Sequence, residues 1–317
     1  SQVQQEINNL RAINTDWNDI LFRDTFDQEY NVSVSGGSEN MQYYNSFSYS
    51  SQNGNVEKVS SDRFSLMSKT NYKFNNHVKT GLTIHLNRRT NSSYLSDTYG
   101  NANPLSYSRK ANPYQQPYDA NGNYSYDYNV QDSDRGLKFN IFEEYENTSN
   151  KTDITSSNII WDLEFRLLND RLKLTSQLGI QSDKTSIKQI AEEESFTMRE
   201  LRQDSFKGGK SFLPDGGVIR NNENDNSQVA WKGMAEYRDT YNGIHELEVM
   251  GGSEIRKTWY TTLYSAGFGY NSSTETTQPI VFPDASSAQL SRYRQYQRIR
   301  QVNAYASFFA TASYSLL

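Results

Sequence analysis

The stretch that decides the fold is Glu29 to Asp62, EYNVSVSGGSENMQYYNSFSYSSQNGNVEKVSSD. Its first part sets Tyr30, Val32, Val34 and Gly36 on one side and Asn31, Ser33 and Ser35 on the other. A two-residue period of this kind is a β-strand with one apolar and one polar face. Gly36, Gly37 and Ser38 interrupt it, and alternation resumes with Met41, Tyr43, Phe47 and Tyr49 opposite Gln42, Tyr44, Ser46 and Ser48. The stretch therefore predicts a hairpin with a tight turn, followed by a longer polar loop.

The same unit recurs downstream. Phe64, Leu66, Ser68, Thr70 and Tyr72 alternate with Arg63, Ser65, Met67, Lys69 and Asn71, and an Asn75-Asn76 turn leads to Val78, Thr80, Leu82, Ile84 and Leu86. Trp161, Leu163, Phe165 and Leu167 oppose Asp162, Glu164 and Arg166, with Asn169-Asp170 as the next turn. Val229, Trp231, Gly233, Ala235 and Tyr237 precede Asn242-Gly243, the strongest short-range hairpin signal. Val302, Ala304, Ala306, Phe308, Ala310, Ala312 and Tyr314 close the series. About nine strands result, joined alternately by short turns and by long loops near 51–61, 88–152, 192–226 and 270–298. The segment 1–27 is expected to lead into the barrel, with Asp16 capping a helical turn from Trp17 to Phe22.

Composition agrees with β-structure and wet loops. The 317 residues are 35% hydrophobic but 13% aromatic, with 23 Tyr and 15 Phe, at a mean hydropathy of −0.85. A formal charge of −5 argues against a nucleic-acid partner, whose phosphates require clustered cations. Cysteine is absent, which excludes a disulfide scaffold and a thiolate zinc site. No apolar run is long enough for a membrane-spanning helix, and the first ten residues lack the pattern of a signal peptide.

Long strands, charged residues on the polar face, aromatics such as Trp161 and Tyr72 near strand ends, and strictly alternating loop lengths favour one architecture. It is an all-β, antiparallel transmembrane β-barrel with apolar side chains toward lipid, short periplasmic turns and long extracellular loops. Residues 28–317 form its partial wall. An odd number of strands leaves two open edges that lipid does not tolerate, so the set is expected to be part of a larger barrel. A soluble or surface-anchored β-sandwich displaying its loops to glycans is the alternative.

The run from Asn14 to Gly54, through Phe22-Arg23, Gly36-Gly37-Ser38 and Tyr43-Tyr44, resembles the start of the barrel in SusC/RagA-family TonB-dependent transporters. The run Arg300 to Leu316 resembles a mid-barrel strand of the same family. The resemblance implies a 22-stranded barrel in the outer membrane, a SusD-like surface lipoprotein as partner, and import of an oligosaccharide or a peptide. It also implies contact with TonB through a plug region that is not found in these residues.

Chemistry-bearing residues are sparse. His77, His85 and His245 read as turn and lumen residues rather than a metal site. Glu143-Glu144 and Glu192-Glu193-Glu194 read as solvated loop carboxylates, and Asp119 to Asn123 as a turn that lacks the distal glutamate of a calcium loop. No enzyme chemistry and no cofactor are expected. The candidate substrate contacts are an aromatic ladder in the longest loop, Tyr107, Tyr114, Tyr118, Tyr124, Tyr126 and Tyr128, whose rings can cover sugar or side-chain faces while their hydroxyls bond.

Overall fold

The computed structural model describes residues 2–95, 100–130, 136–207, 210–282 and 292–316. Two helices come first, α1 (Gln2–Arg11) and α2 (Trp17–Leu21), with Asp16 accepting from the Asn18 and Asp19 amides as the cap predicts. The wall then follows as β1 (Gln28–Gly37), β2 (Met41–Asn53), β3 (Ser60–Lys73) and β4 (Val78–Ser93). Helices α3 (Pro104–Lys110) and α4 (Ile141–Asn147) intervene before β5 (Thr148–Leu167) and β6 (Leu172–Ala191). Next come α5 (Phe196–Asp204), the short ribbon β7 (Phe206–Lys207) and β8 (Lys210–Ser211), and the long pair β9 (Gly217–Tyr241) and β10 (His245–Asn271). A three-residue β11 (Thr276–Gln278) and β12 (Tyr296–Leu316) complete the order.

Nine long strands thus form one continuous antiparallel sheet in the order β1-β2-β3-β4-β5-β6-β9-β10-β12, with β11 also pairing β10. Among the described residues its ends do not pair with each other, so the sheet is an open segment of wall. Apart from the β7-β8 ribbon there is no second sheet among them, and the sandwich alternative is set aside. No described helix is long and apolar enough to cross a membrane.

Register fixes the two faces. One row reads Leu82, Trp161, Leu178, Trp231, Ile255 and Ala306 across β4, β5, β6, β9, β10 and β12. The row displaced by one residue reads Gly81, Asp162, Gln177, Lys232, Glu254 and Ser307. Large apolar groups on the first face stand in the open, Trp161 at 46%, Ile255 at 53% and Phe308 at 82% exposure. Only a hydrocarbon surrounding relieves so continuous an apolar surface. Trp161 and Trp231 donate their indole N–H groups to Thr80 Oγ1 (2.9 Å) and Ser176 Oγ (3.0 Å), so neither reaches lipid unpaired.

The apolar band ends at a row rich in charge. From Leu167 up to Ser157 is ten residues of β5, which at about 3.3 Å per residue and a tilt of about 40° spans roughly 25 Å. The next outer row is Arg88, Thr155, Lys184, Asp225, Thr261 and Arg300. Below the band, turns are tight: Asn75 Oδ1 accepts from the His77 and Val78 amides, and Asn242 and Gly243 take φ of 53° and 71°.

The loop boundaries differ from those expected. β4 runs to Ser93, β5 starts at Thr148 and β9 starts at Gly217, so the long connections shrink to 94–147 and 192–216. Above the membrane band both strand faces meet water, and Asn221 to Gln228 (NNENDNSQ) holds its place by pairing with β6 and β10 without one apolar residue. The segment 2–27 approaches from the same side as these connections. Gln28 pairs with Ser51 at the loop end of the sheet, so this segment reaches β1 from that end, with Trp17 and Leu21 packed among the long loops and the described side chains of α1 exposed.

Candidate functional site: the loop head and the polar wall

Two features face the region the barrel would enclose or cover, a folded head made from the long connections and the polar inner face below it. The head has two adjoining cores. One gathers Trp17, Leu21, Tyr107, Phe139, Ile141, Tyr145 and Phe196. The other gathers residues from α5, the tops of β6, β9 and β10, and Tyr293. Helix α5 contributes Phe196 to the first and Met198 and Leu201 to the second, so it joins them.

The joint is electrostatic. Glu144, expected in a solvated loop, is fully buried on α4, and Glu143 beside it is 5% exposed. Glu144 accepts from the Phe196 amide (2.5 Å), the Thr197 amide and the Thr197 hydroxyl (2.6 Å), capping α5 together with Ser195 Oγ. Burial pushes its carboxyl up to about 7, against the lowering pull of these donors and of Arg199. Glu143 pairs with Arg199 and accepts from the Tyr126 hydroxyl at 2.9 Å. The reason the solvated reading fails is positional: Asn140 caps α4 with its side chain and turns both carboxylates inward toward the α5 terminus. Glu193 and Glu194, by contrast, are exposed as expected.

The remaining connections dock on the same body. Lys58 of the first loop donates to the Tyr145 carbonyl (2.5 Å), Trp17 donates to the Asn112 carbonyl (3.2 Å), and Tyr293 donates to the Leu201 carbonyl (3.2 Å).

The six tyrosines separate into two groups. Tyr107 is 3% exposed, edge-on to Trp17 (5.0 Å) and Phe139 (5.2 Å), and serves the core. Tyr118 and Tyr124 face each other across a tight turn with rings 5.6 Å apart. Asp119 Oδ1 closes that turn by accepting from the Asn121 and Asn123 amides, which lowers its pKa and occupies the oxygen a cation would need. Tyr124 donates to Glu146, and Tyr126 carries Lys138 4.3 Å over its ring. Tyr114 (48%), Tyr118 (40%) and Tyr128 (57%) present their rings outward. Tyr118 also borders a groove of about 460 Å³ shared with Asp16 and Asp19 at the start of α2.

The inner wall is a ladder of alternating charge. Glu164 lies 2.8 Å from Arg166 and 3.7 Å from Lys79, Lys173 lies 3.7 Å from Glu236, and Gln177 donates to Asp162 at 2.7 Å. Of these, Lys79, Asp162, Glu164 and Gln177 line a concavity of about 590 Å³ toward the short-turn end. Phe309 covers Gly252 on this face, with Lys232 5.6 Å from its ring centre. Of Phe308 and Phe309 one must point inward, and the sequence signal for it is the doublet itself. The three histidines do not converge, and no group of three or more His, Cys, Asp or Glu suited to a metal occurs among the described residues.

Comparison with known proteins adds the context. No protein-family model matches the chain. It is 25% identical over 251 residues to the TonB-dependent receptor P3 of Formosa agariphila, covering 77% of this chain and 23% of that protein. It is 27% identical over 117 residues to the TonB-dependent receptor SusC of Bacteroides thetaiotaomicron, covering 36% and 12%. Among solved structures it superposes on the RagAB peptide importer in its closed-closed state with a TM-score of 0.65 at 18% identity, over 96% of this chain and 31% of that one. The chain therefore spans less than a third of the length of each of these three proteins.

Proposed function

We propose that the chain is a barrel portion of a SusC/RagA-type TonB-dependent transporter of the outer membrane and forms part of the wall and mouth of a nutrient importer. The observation that carries this reading is the conjunction of one continuous sheet, apolar outside and charge-laddered inside, with a folded head standing over its loop end. Polar residues such as Asp162, Gln177 and Lys232 line the path, and the head forms one side of the mouth.

A SusD-like lipoprotein covers that mouth in this reading, and energy reaches the barrel from TonB through a plug region contributed by other residues. The cargo is an oligosaccharide or a peptide. Tyr114, Tyr118 and Tyr128 are the residues we assign to it, since flat faces with a hydroxyl at the rim suit either. No chemical step on the cargo is part of this function.

The test has two arms. Single cysteines at Asn121 and Asn242, in a chain without native cysteine, are expected to label from outside intact cells at 121 alone; equal labelling at both ends the barrel orientation. In the full-length receptor with its lipoprotein, the triple substitution Tyr114→Ala, Tyr118→Ala, Tyr128→Ala is expected to lower retention of the imported oligosaccharide or peptide at least severalfold. Unchanged retention removes the tyrosines from the site.

A further inference from the structure

On the outer face, a hollow of about 240 Å³ lies at the top of the apolar band between β2, β3, β4 and β5. Phe47, Phe64, Leu66 and Leu86 form its floor, each between 42% and 47% exposed. The row that begins Phe47, Leu66, Leu86 continues as Ser157, Ser182 and Ser227 before Trp259 resumes the bulk. Three serines in a row leave a shallow trough beside the aromatic floor.

Arg88 stands directly above the hollow, opposite Thr155. It is exposed and has no ion-pair partner among the described residues. The anions on its face are engaged: Asp62 accepts from Tyr49 (3.2 Å), Asp153 from Thr90 (2.6 Å) with Lys151 at 3.8 Å, and Asp225 lies 3.9 Å from Lys184. Glu223 is the exposed exception, on β9. At the other end of the trough Lys257 emerges within the band and lifts its ammonium to 5.2 Å from the Trp259 ring.

We infer that this hollow, with Arg88 at its rim, holds a phosphorylated glycolipid of the outer leaflet, one acyl chain on the aromatic floor and a phosphate on the guanidinium. A free guanidinium at the height where hydrocarbon ends meets a phosphate there bidentately, and the hollow gives that phosphate a fixed address. The glycolipid class follows from the wall above. The two outer rows above Arg88 read Asp62, Thr90, Asp153, Ser186 and Glu223, then Ser60, Ser92, Lys151, Lys188 and Asn221: hydroxyls, an amide and charges of both signs, polar partners for a phosphorylated sugar headgroup where a phospholipid head would already have ended.

The inference rests on the membrane-barrel reading but not on import. The experiment is native mass spectrometry of the full-length receptor in mild detergent, with bis-phosphorylated lipid A, its dephosphorylated form or phosphatidylglycerol added. Folding of every variant is read separately from heat-modifiable migration, so a failed barrel is not mistaken for a lost site. Wild type is expected to retain phosphorylated lipid A about tenfold better than the dephosphorylated form, and Arg88→Gln to lose about that factor, as one charge-assisted bond implies. Leu66→Trp, which fills the floor, is expected to lower retention with the phosphate contact intact, and Lys110→Gln on α3 to leave it unchanged. Equal retention by Arg88→Gln and Lys110→Gln overturns the site. Equal retention of phosphatidylglycerol, or displacement by inorganic phosphate alone, overturns the glycolipid assignment.

Discussion

The wall below the Arg88 row and the wall above it are the same strands obeying different physics. Below, each strand separates hydrocarbon from water, and most outward side chains are apolar because lipid demands it, with small hydroxyls such as Ser157 and Ser182 and the upward-reaching Lys257 among them. Above, both faces meet water or the packed loops, and the strands persist through backbone pairing and the anchorage of the head. β9 shows both regimes in one element: Val229, Trp231 and Ala235 alternate cleanly with polar neighbours, whereas Asn221 to Gln228 alternates nothing. A strand is thus readable from hydropathy only where its two faces have different solvents.

The largest effect expected lies in the upper part. Phe139 is completely buried in the head core, and Phe139→Ala is expected to cost about 3–5 kcal/mol of local stability. Hydrogen exchange should accelerate in α4 and α5 while the strands below Arg88 stay protected; loss of protection in both regions would erase the division. On the outer face of the lower wall, Ile255→Lys is expected to cost about 2–4 kcal/mol in lipid vesicles, whereas Ser186→Lys above the band should stay within about 0.5 kcal/mol. Equal costs would mean that the boundary is drawn in the wrong place.

A smaller effect concerns pH. Glu144 has a folded pKa raised to about 7 from 4.5, so its stabilisation is complete below the unfolded value and is lost as pH rises through about 7. Between pH 5 and 8 the head should loosen by an order of 1–3 kcal/mol, read as exchange at the α5 amides after correction for intrinsic rates. Glu144→Gln should flatten that slope, and the lower wall should show none of it. Smallest is Trp231→Phe, which removes the bond to Ser176 Oγ at a cost of about 0.5–1.5 kcal/mol.

The same division explains what could be read in advance. The lower wall was legible residue by residue, from the Asn75 and Asn242-Gly243 turns to the nine long strands. Strand lengths were not, because hydroxyl and amide rows carry no period. In the candidate site, the tyrosine-rich loop was visible by composition, but Tyr107 and its exposed neighbours have the same local sequence character and differ only in what packs on them. Glu143 and Glu144 look like any loop pair until α5, more than fifty residues away, supplies the amides that Glu144 accepts from and the Arg199 guanidinium that pairs with Glu143.

The length of β10 has one more consequence. Of its 27 residues, those from Thr261 to Asn271 stand above the apolar band, roughly 25 Å at about 3.3 Å per residue and a tilt of about 40°. The rim is therefore a chimney: it opens clear of the crowded carpet at the cell surface. A bulky molecule approaching from the loop side meets this raised rim before it meets the membrane, so in the proposed importer the height of the masonry screens what can enter.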